Sequence, residues 1–116
     1  MTKRSIYHLC RKADWLAAAQ RGVYEGSAED RADGFLHFST ADQVEESAAK
    51  HRAGEADLLL LAVNAASLGD KLVWEAASSG EIFPHLHGAL PLSAVLEVVA
   101  LNLGPDGLHE FPLLAD

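Results

Sequence analysis

Apolar and polar residues alternate with a period of two in several short runs of this chain, the spacing of half-buried strands. Ser5 to Cys10 reads as the first, with Ile6 and His8 facing one way and Tyr7 and Leu9 the other. Phe35 to Ser39 is the second; Phe35, His37 and Ser39 share one face, Leu36 and Phe38 the other. Asp57 to Asn64 is almost continuously apolar, as in a central strand covered on both faces. Leu72 to Ala76 sets Val73 and Glu75 against Leu72 and Trp74. Phe83 to Gly88 is expected at a sheet edge, because Pro84 biases Phe83 to extended geometry and lacks an amide donor. Val95 to Leu103 is the last long strand, followed by a Gly104-Pro105-Asp106-Gly107 turn and a short terminal strand near Leu108 to Phe111.

Two stretches carry helical spacing. Asp14 reads as the N-cap of a helix over Trp15 to Arg21, ended by Gly22, with Trp15, Ala18 and Ala19 buried. Thr40 reads as the cap of a second helix over Ala41 to Ala53, with Val44, Ala48 and His51 on one side and Gly54 closing it. Gly22 to Gly34, rich in small and charged residues, is expected to be a loop, with Tyr24 as its one large aromatic side chain. Ala65 to Lys71 reads as a turn and Ser78 to Glu81 as a flexible loop. Helices early and strands late favour a segregated α+β fold over parallel βαβ units.

The length of 116 residues suits one domain spanning residues 1–116, and 49% hydrophobic with 22% charged residues is ordinary for a globular chain. A formal net charge of -8 disfavours a nucleic-acid or anionic-membrane partner. The short basic cluster of Lys3, Arg4, Arg11 and Lys12 allows at most a local phosphate contact. One cysteine, Cys10, excludes an intramolecular disulfide and a cysteine zinc site. The longest apolar run, Leu58 to Val63, is too short to span a bilayer and no signal-peptide stretch is present, so the cytoplasm is the expected compartment.

Chemistry concentrates at His8, His37 and His85, each in an extended segment flanked by apolar residues. One such histidine is ordinarily a satisfied core residue; three in three strands point to a shared polar site. Glu75 is the fourth member, either an exposed edge carboxylate or one that orients an imidazole, binds a hydroxyl or acts as a base. His85 and His87 have the spacing of a two-histidine metal site, with His8 or His37 as third ligand, though the HxH signal is weak. Ser39 lacks a Gly-x-Ser-x-Gly elbow and is equally explained by helix entry. Cys10 reads as a small core residue rather than a nucleophile.

In order and spacing, Ile6-Tyr7-His8, Asp14-Trp15, Gly22-Val23-Tyr24, Gly34 to Thr40 with Gln43, Leu58 to Val63, Trp74-Glu75 and Phe83 to Gly88 resemble the bacterial family called domain of unknown function 952. That family is similar in fold to ADP-ribosyltransferases. The resemblance implies a split antiparallel or mixed sheet with two main helices and an NAD cleft between the halves. It implies catalytic roles for Glu75, His8, His37 and His85, and contacts to a nucleotide cofactor from His8, Tyr24, His37, Ser39, Thr40 and Trp74. Within it, Glu75 would hold the reactive ribose and Tyr24 would stack on a flat ring. Leu9 and Cys10 depart from the Gly and Thr of many NAD enzymes, His87 from an expected tyrosine, and Asn64 from an expected Asp. The expectation is a small-molecule ligand, with NAD as the candidate cofactor and an ADP-ribosyltransferase-like transfer as the candidate reaction. The alternatives are a non-catalytic binding or regulatory module, and a metal-dependent enzyme using His85 and His87.

Overall fold

The computed structural model describes residues 5–115. In chain order its elements are β1 (Ser5–Arg11), α1 (Lys12–Arg21), β2 (Val23–Tyr24), α2 (Ala28–Asp33), β3 (Leu36–His37), α3 (Val44–His51) and β4 (Leu58–Asn64). There follow β5 (Leu72–Ala76), β6 (Ile82–Leu86), β7 (Leu90–Pro91) and β8 (Val95–Leu101), with 3₁₀ turns over Ala65–Lys71 and Leu92–Ala94. This is an α+β arrangement in which every strand pairing among the described residues is antiparallel. No helix among them is long and apolar enough to cross a membrane.

The main sheet has the order β1-β4-β8, and its centre is the apolar run that the pattern marked as covered on both faces. Leu58 to Val63 are all buried. Alternation along β1 divides the core. Ile6 and Cys10 join Ala18, Tyr24, Leu36, Phe38, Leu61 and Leu86 on one side. Tyr7 joins Val44 of α3, Leu58, Leu60 and Leu101 on the other. Tyr7 also hydrogen-bonds to the backbone carbonyl of Ala115, which ties the C-terminal segment to that second layer.

The second sheet has the order β3-β6-β5, and β2 pairs with β7 in a two-stranded ribbon. An isolated bridge joins the two larger sheets: the Tyr7 and Ser39 amides and carbonyls exchange two hydrogen bonds of 2.8 Å. Register then decides what faces what. His37 lies opposite His85, which lies opposite Val73, and Glu75 lies opposite Phe83. Directly paired residues share a face. One face of this sheet therefore carries His37, His85, Glu75 and Phe83, while Leu36, Leu86 and Leu72 face the core.

Several local expectations are corrected. The segment Phe83 to Gly88 is not at an edge: β6 is the middle strand of its sheet. Pro84 is tolerated because β3 pairs only through Leu36 and His37; beyond that ladder the Pro84 carbonyl accepts the Phe38 amide. Gly22 to Gly34 is not a loop but contains β2 and α2, whose N-terminus is a capping box. Ser27 Oγ accepts the Asp30 amide, and the Asp30 carboxylate accepts the Ser27 amide.

Helix α1 starts at Lys12 with Arg11 at its N-cap, so Asp14 lies inside the first turn and does not cap. Ala18 is buried and Ala19 exposed. The N-cap of α3 is Gln43, not Thr40, whose carbonyl instead accepts the amides of Gln43 and Val44. His51 is exposed, unlike Val44 and Ala48, and Arg52 rather than Gly54 is the C-cap. Past β8, the expected terminal strand reduces to a single bridge between Leu103 and His109.

Candidate functional site

Strand β1 delivers His8 to the seam between the two larger sheets, where it is buried. Its Nδ1 donates to the His37 carbonyl at 2.6 Å, and Nε2 accepts from the Tyr24 hydroxyl at 2.9 Å. Burial pushes the His8 pKa down against the upward pull of Asp30, so the neutral ring with its proton on Nδ1 suits these partners. Both nitrogens are thus committed to protein groups. His8 holds the backbone of β3 in position.

At His37 the surroundings favour the protonated ring. Its Nδ1 donates to Asp30 Oδ1 at 2.6 Å, and Nε2 lies 3.1 Å from Asp33 Oδ2. The hydrogen bond to Asp30 raises the His37 pKa, opposed in part by burial. Burial by itself would raise the Asp30 carboxyl, but hydrogen bonding from His37 and from the Ser27 donors outweighs it and holds the carboxylate well below its usual range. The capping box of α2 therefore also builds the buried counter-ion of the site.

His85 is held by a different carboxylate. Its Nδ1 donates to Glu75 Oε1 at 2.8 Å, which leaves Nε2 as the ring atom for a ligand. His87 Nε2 reaches the same oxygen at 2.9 Å. The two imidazoles, His87 first, lower the Glu75 pKa. Phe35 stacks on His85, with centroids 4.2 Å apart and planes at 24°, while His37 meets His85 edge-on at 5.5 Å.

These groups open onto a cavity of about 630 Å³. Its walls are β1 through His8 and Leu9, α2 through Glu29, Asp30 and Asp33, the strip from Phe35 to Ser39, the end of α3 through Ser47, His51 and Arg52, and the β5–β6 hairpin through Ala76, Ala77, Phe83 and His85. Of the residues singled out from sequence, His8, His37, Ser39 and His85 line it together. Glu75 stands outside the lining, behind His85. Tyr24 is buried behind His8, where burial pushes its hydroxyl pKa up. Thr40 forms the turn before α3, and Trp74 points to the face of β5 opposite Glu75; neither lines the cavity.

Cys10 is buried, and burial pushes its thiol up to about 11, the behaviour of a packing residue. His85 and His87 converge on one carboxylate oxygen, and among the described residues no three His, Cys, Asp or Glu side chains are disposed to hold a metal ion. Of the basic cluster near the start, Lys3 and Arg4 lie outside the described residues, and Arg11 is paired with Glu29 and Glu55. Asp30, Asp33, Phe35, Phe83 and Arg52 were not anticipated. For Asp30 a signal existed: Ser27-Ala28-Glu29-Asp30 has capping-box spacing.

Residues 9–98 match the family described as "Protein of unknown function (DUF952)". The chain belongs to the DUF952 family. No curated protein matches it. Among solved structures, the crystal structure of protein CC0527 from Caulobacter crescentus is similar, with 46% identity over 91% of this chain and 93% of that one and a TM-score of 0.88. The solution NMR structure of CC0527 is similar at 47% identity over 90% of each chain, with a TM-score of 0.81. The DUF952 match ends at residue 98 and takes in His37, Asp30, Glu75 and His85, the two carboxylate–imidazole pairs of the site.

Proposed function

We propose that this DUF952 chain binds a nucleotide-class ligand, with NAD and ADP-ribose as the first candidates, in the cavity between its two larger sheets. The observation that carries the reading is the pair of carboxylate-held imidazoles, His37 and His85, opening on one cavity with rings 5.5 Å apart. A volume of about 630 Å³ is in the range of cofactor pockets. Phe35 and Phe83 offer apolar contact to a base, and the His37–Asp33 pair offers a polar partner for ribose hydroxyls. Two antiparallel three-stranded sheets meeting at the Tyr7–Ser39 bridge support the split-sheet arrangement of ADP-ribosyltransferase-like folds.

A non-catalytic binding module is the second reading, and one observation favours it over transfer. A transferase needs a carboxylate at the reacting ribose, whereas the Glu75 carboxylate is engaged by His85 and His87 and stands outside the cavity lining. Under either reading His85 Nε2 is the ligand-facing donor or acceptor, and Glu75 acts through it as a positioning residue.

Calorimetric titration of the full chain with NAD and ADP-ribose tests the proposal. Saturable binding is expected, weakened at least tenfold by His85→Ala in a protein that keeps its circular dichroism spectrum. Absence of binding by the folded wild-type chain overturns it. Release of nicotinamide from NAD would select transfer over the binding module.

A further inference from the structure

We infer that the α3 wall of the cavity is an anion subsite, built around Arg52, that takes a phosphate group of the ligand. The inference rests on the nucleotide reading of the same cavity and adds where the charged end of the ligand lies. Arg52 follows the last residue of α3, its side chain is largely withdrawn from solvent, and it lines the cavity with His51 and Ser47. Ser47 and His51 are four residues apart and so share one helix face. Across from them Ser39 also lines the cavity, and its hydroxyl is only weakly bonded to that of Ser47, at 3.4 Å. Two hydroxyl, one imidazole and one guanidinium side chain thus line the cavity, with the two hydroxyls in contact.

The charge distribution gives the cavity a polarity. Among the described residues its acidic groups, Glu29, Asp30 and Asp33, all come from α2, and each already has a partner: Arg11 for Glu29, the His37 ring for both aspartates. The single Arg of the lining among the described residues is Arg52, the C-cap of α3. Its NH1 reaches Glu55 Oε2 at 3.3 Å, a long ion pair that uses few of the five guanidinium N–H donors. The field of Arg52 also lowers the proton affinity of both His8 and His37, so the cation acts across the cavity rather than on the outer surface alone. The C-terminal end of a helix presents carbonyls, not amides. An anion here is therefore held by side chains, and one substitution isolates the effect.

Adenosine and AMP differ only in the phosphate, and titrating both into the full chain measures the subsite. AMP is expected to bind at least about tenfold more tightly, the value of a charge-assisted contact. Arg52→Gln should bring AMP to the affinity of adenosine while leaving adenosine unchanged, and Arg52→Lys should keep part of the preference. Equal wild-type affinities, or equal losses for both ligands in Arg52→Gln, overturn the inference. If neither nucleoside nor nucleotide binds, the nucleotide reading fails by itself. Inorganic pyrophosphate followed by amide NMR shifts then decides the subsite: shifts centred on residues 47–52, lost in Arg52→Gln, uphold it, and their absence overturns it.

Discussion

Asp30–His37 and Glu75–His85 are the same chemical pair, a carboxylate oxygen on imidazole Nδ1 at 2.6 and 2.8 Å, yet they are built in opposite ways. Asp30 is 4% exposed and belongs to a helix cap, where its two oxygens also receive the Ser27 amide and hydroxyl and the His37 amide. Glu75 is a cross-strand residue with a 38% exposed side chain, and one of its oxygens is shared by two imidazoles. A buried charge must be fully satisfied or it destabilises the fold, whereas an exposed one exchanges its partners with water at little cost. The first pair is thus part of the architecture, and the second is an adjustable support for a ring that remains free to act.

Removing each carboxylate separates these roles. Asp30→Ala leaves the Ser27 donors and the His37 amide without their acceptor and takes the counter-ion from a half-buried imidazole. The expected loss is about 3–5 kcal/mol in urea unfolding, the cost of breaking a buried charged network. A loss below about 1 kcal/mol would mean that water replaces Asp30 and that the contrast with Glu75 is false.

Legibility from sequence follows the same divide. The strands that bring the histidines together were readable because alternation reports burial directly: His8 beside Ile6, His37 between Leu36 and Phe38, His85 between Pro84 and Leu86. The α2 wall was hidden, because a short helix in a run of Gly, Ser, Ala and charged residues has almost no apolar stripe. Its cap, not its hydrophobic face, defines it, and only Ser27-x-x-Asp30 announces it. Arg52 was missed for a related reason: the reach of a guanidinium from a helix end into a cavity depends on how α3 docks on β1, which period alone does not specify. Chain order groups Glu75 with the histidines but does not tell that it stands behind His85 and outside the cavity lining. Pro84 misled because the rule against proline in central strands assumes that both neighbours run the full length, and β3 does not.

The pH dependence of stability separates the half-exposed His37 from the buried His8. His37 has a raised pKa, so its contribution is full below the unfolded value of about 6.5 and is lost as pH rises through its higher folded value. His8 has a lowered pKa; its buried neutral form contributes fully above about 6.5 and loses ground as pH falls from there toward its folded value. Stability should therefore peak near pH 6.5, and fall further below about pH 4 as the depressed carboxyl of Asp30 is protonated. Urea midpoints across pH 4 to 9 check the peak. His37→Asn should abolish the alkaline limb and keep the acid one; an alkaline limb that survives assigns the effect to another group.

The smallest expected effect on stability is the most informative about chemistry. Glu75→Gln keeps an acceptor oxygen near His85 and removes a charge from an exposed position, so the unfolding midpoint should hardly move. What should change is the imidazole. In the wild type the Glu75 carboxylate accepts the hydrogen bond of His85 Nδ1 and so fixes the proton of that ring on Nδ1. With Gln at this position that bias weakens, because the amide oxygen is a poorer acceptor than a carboxylate and the amide NH2 can instead donate to Nδ1, and nitrogen-15 NMR of the side chain should show the neutral form redistributing toward the Nε2–H tautomer. His37, held by Asp30, should keep its spectrum in the same sample. An unchanged His85 tautomer would show that stacking on Phe35, and not the carboxylate, sets the ring, and Glu75 would then have no part in presenting Nε2 to the cavity.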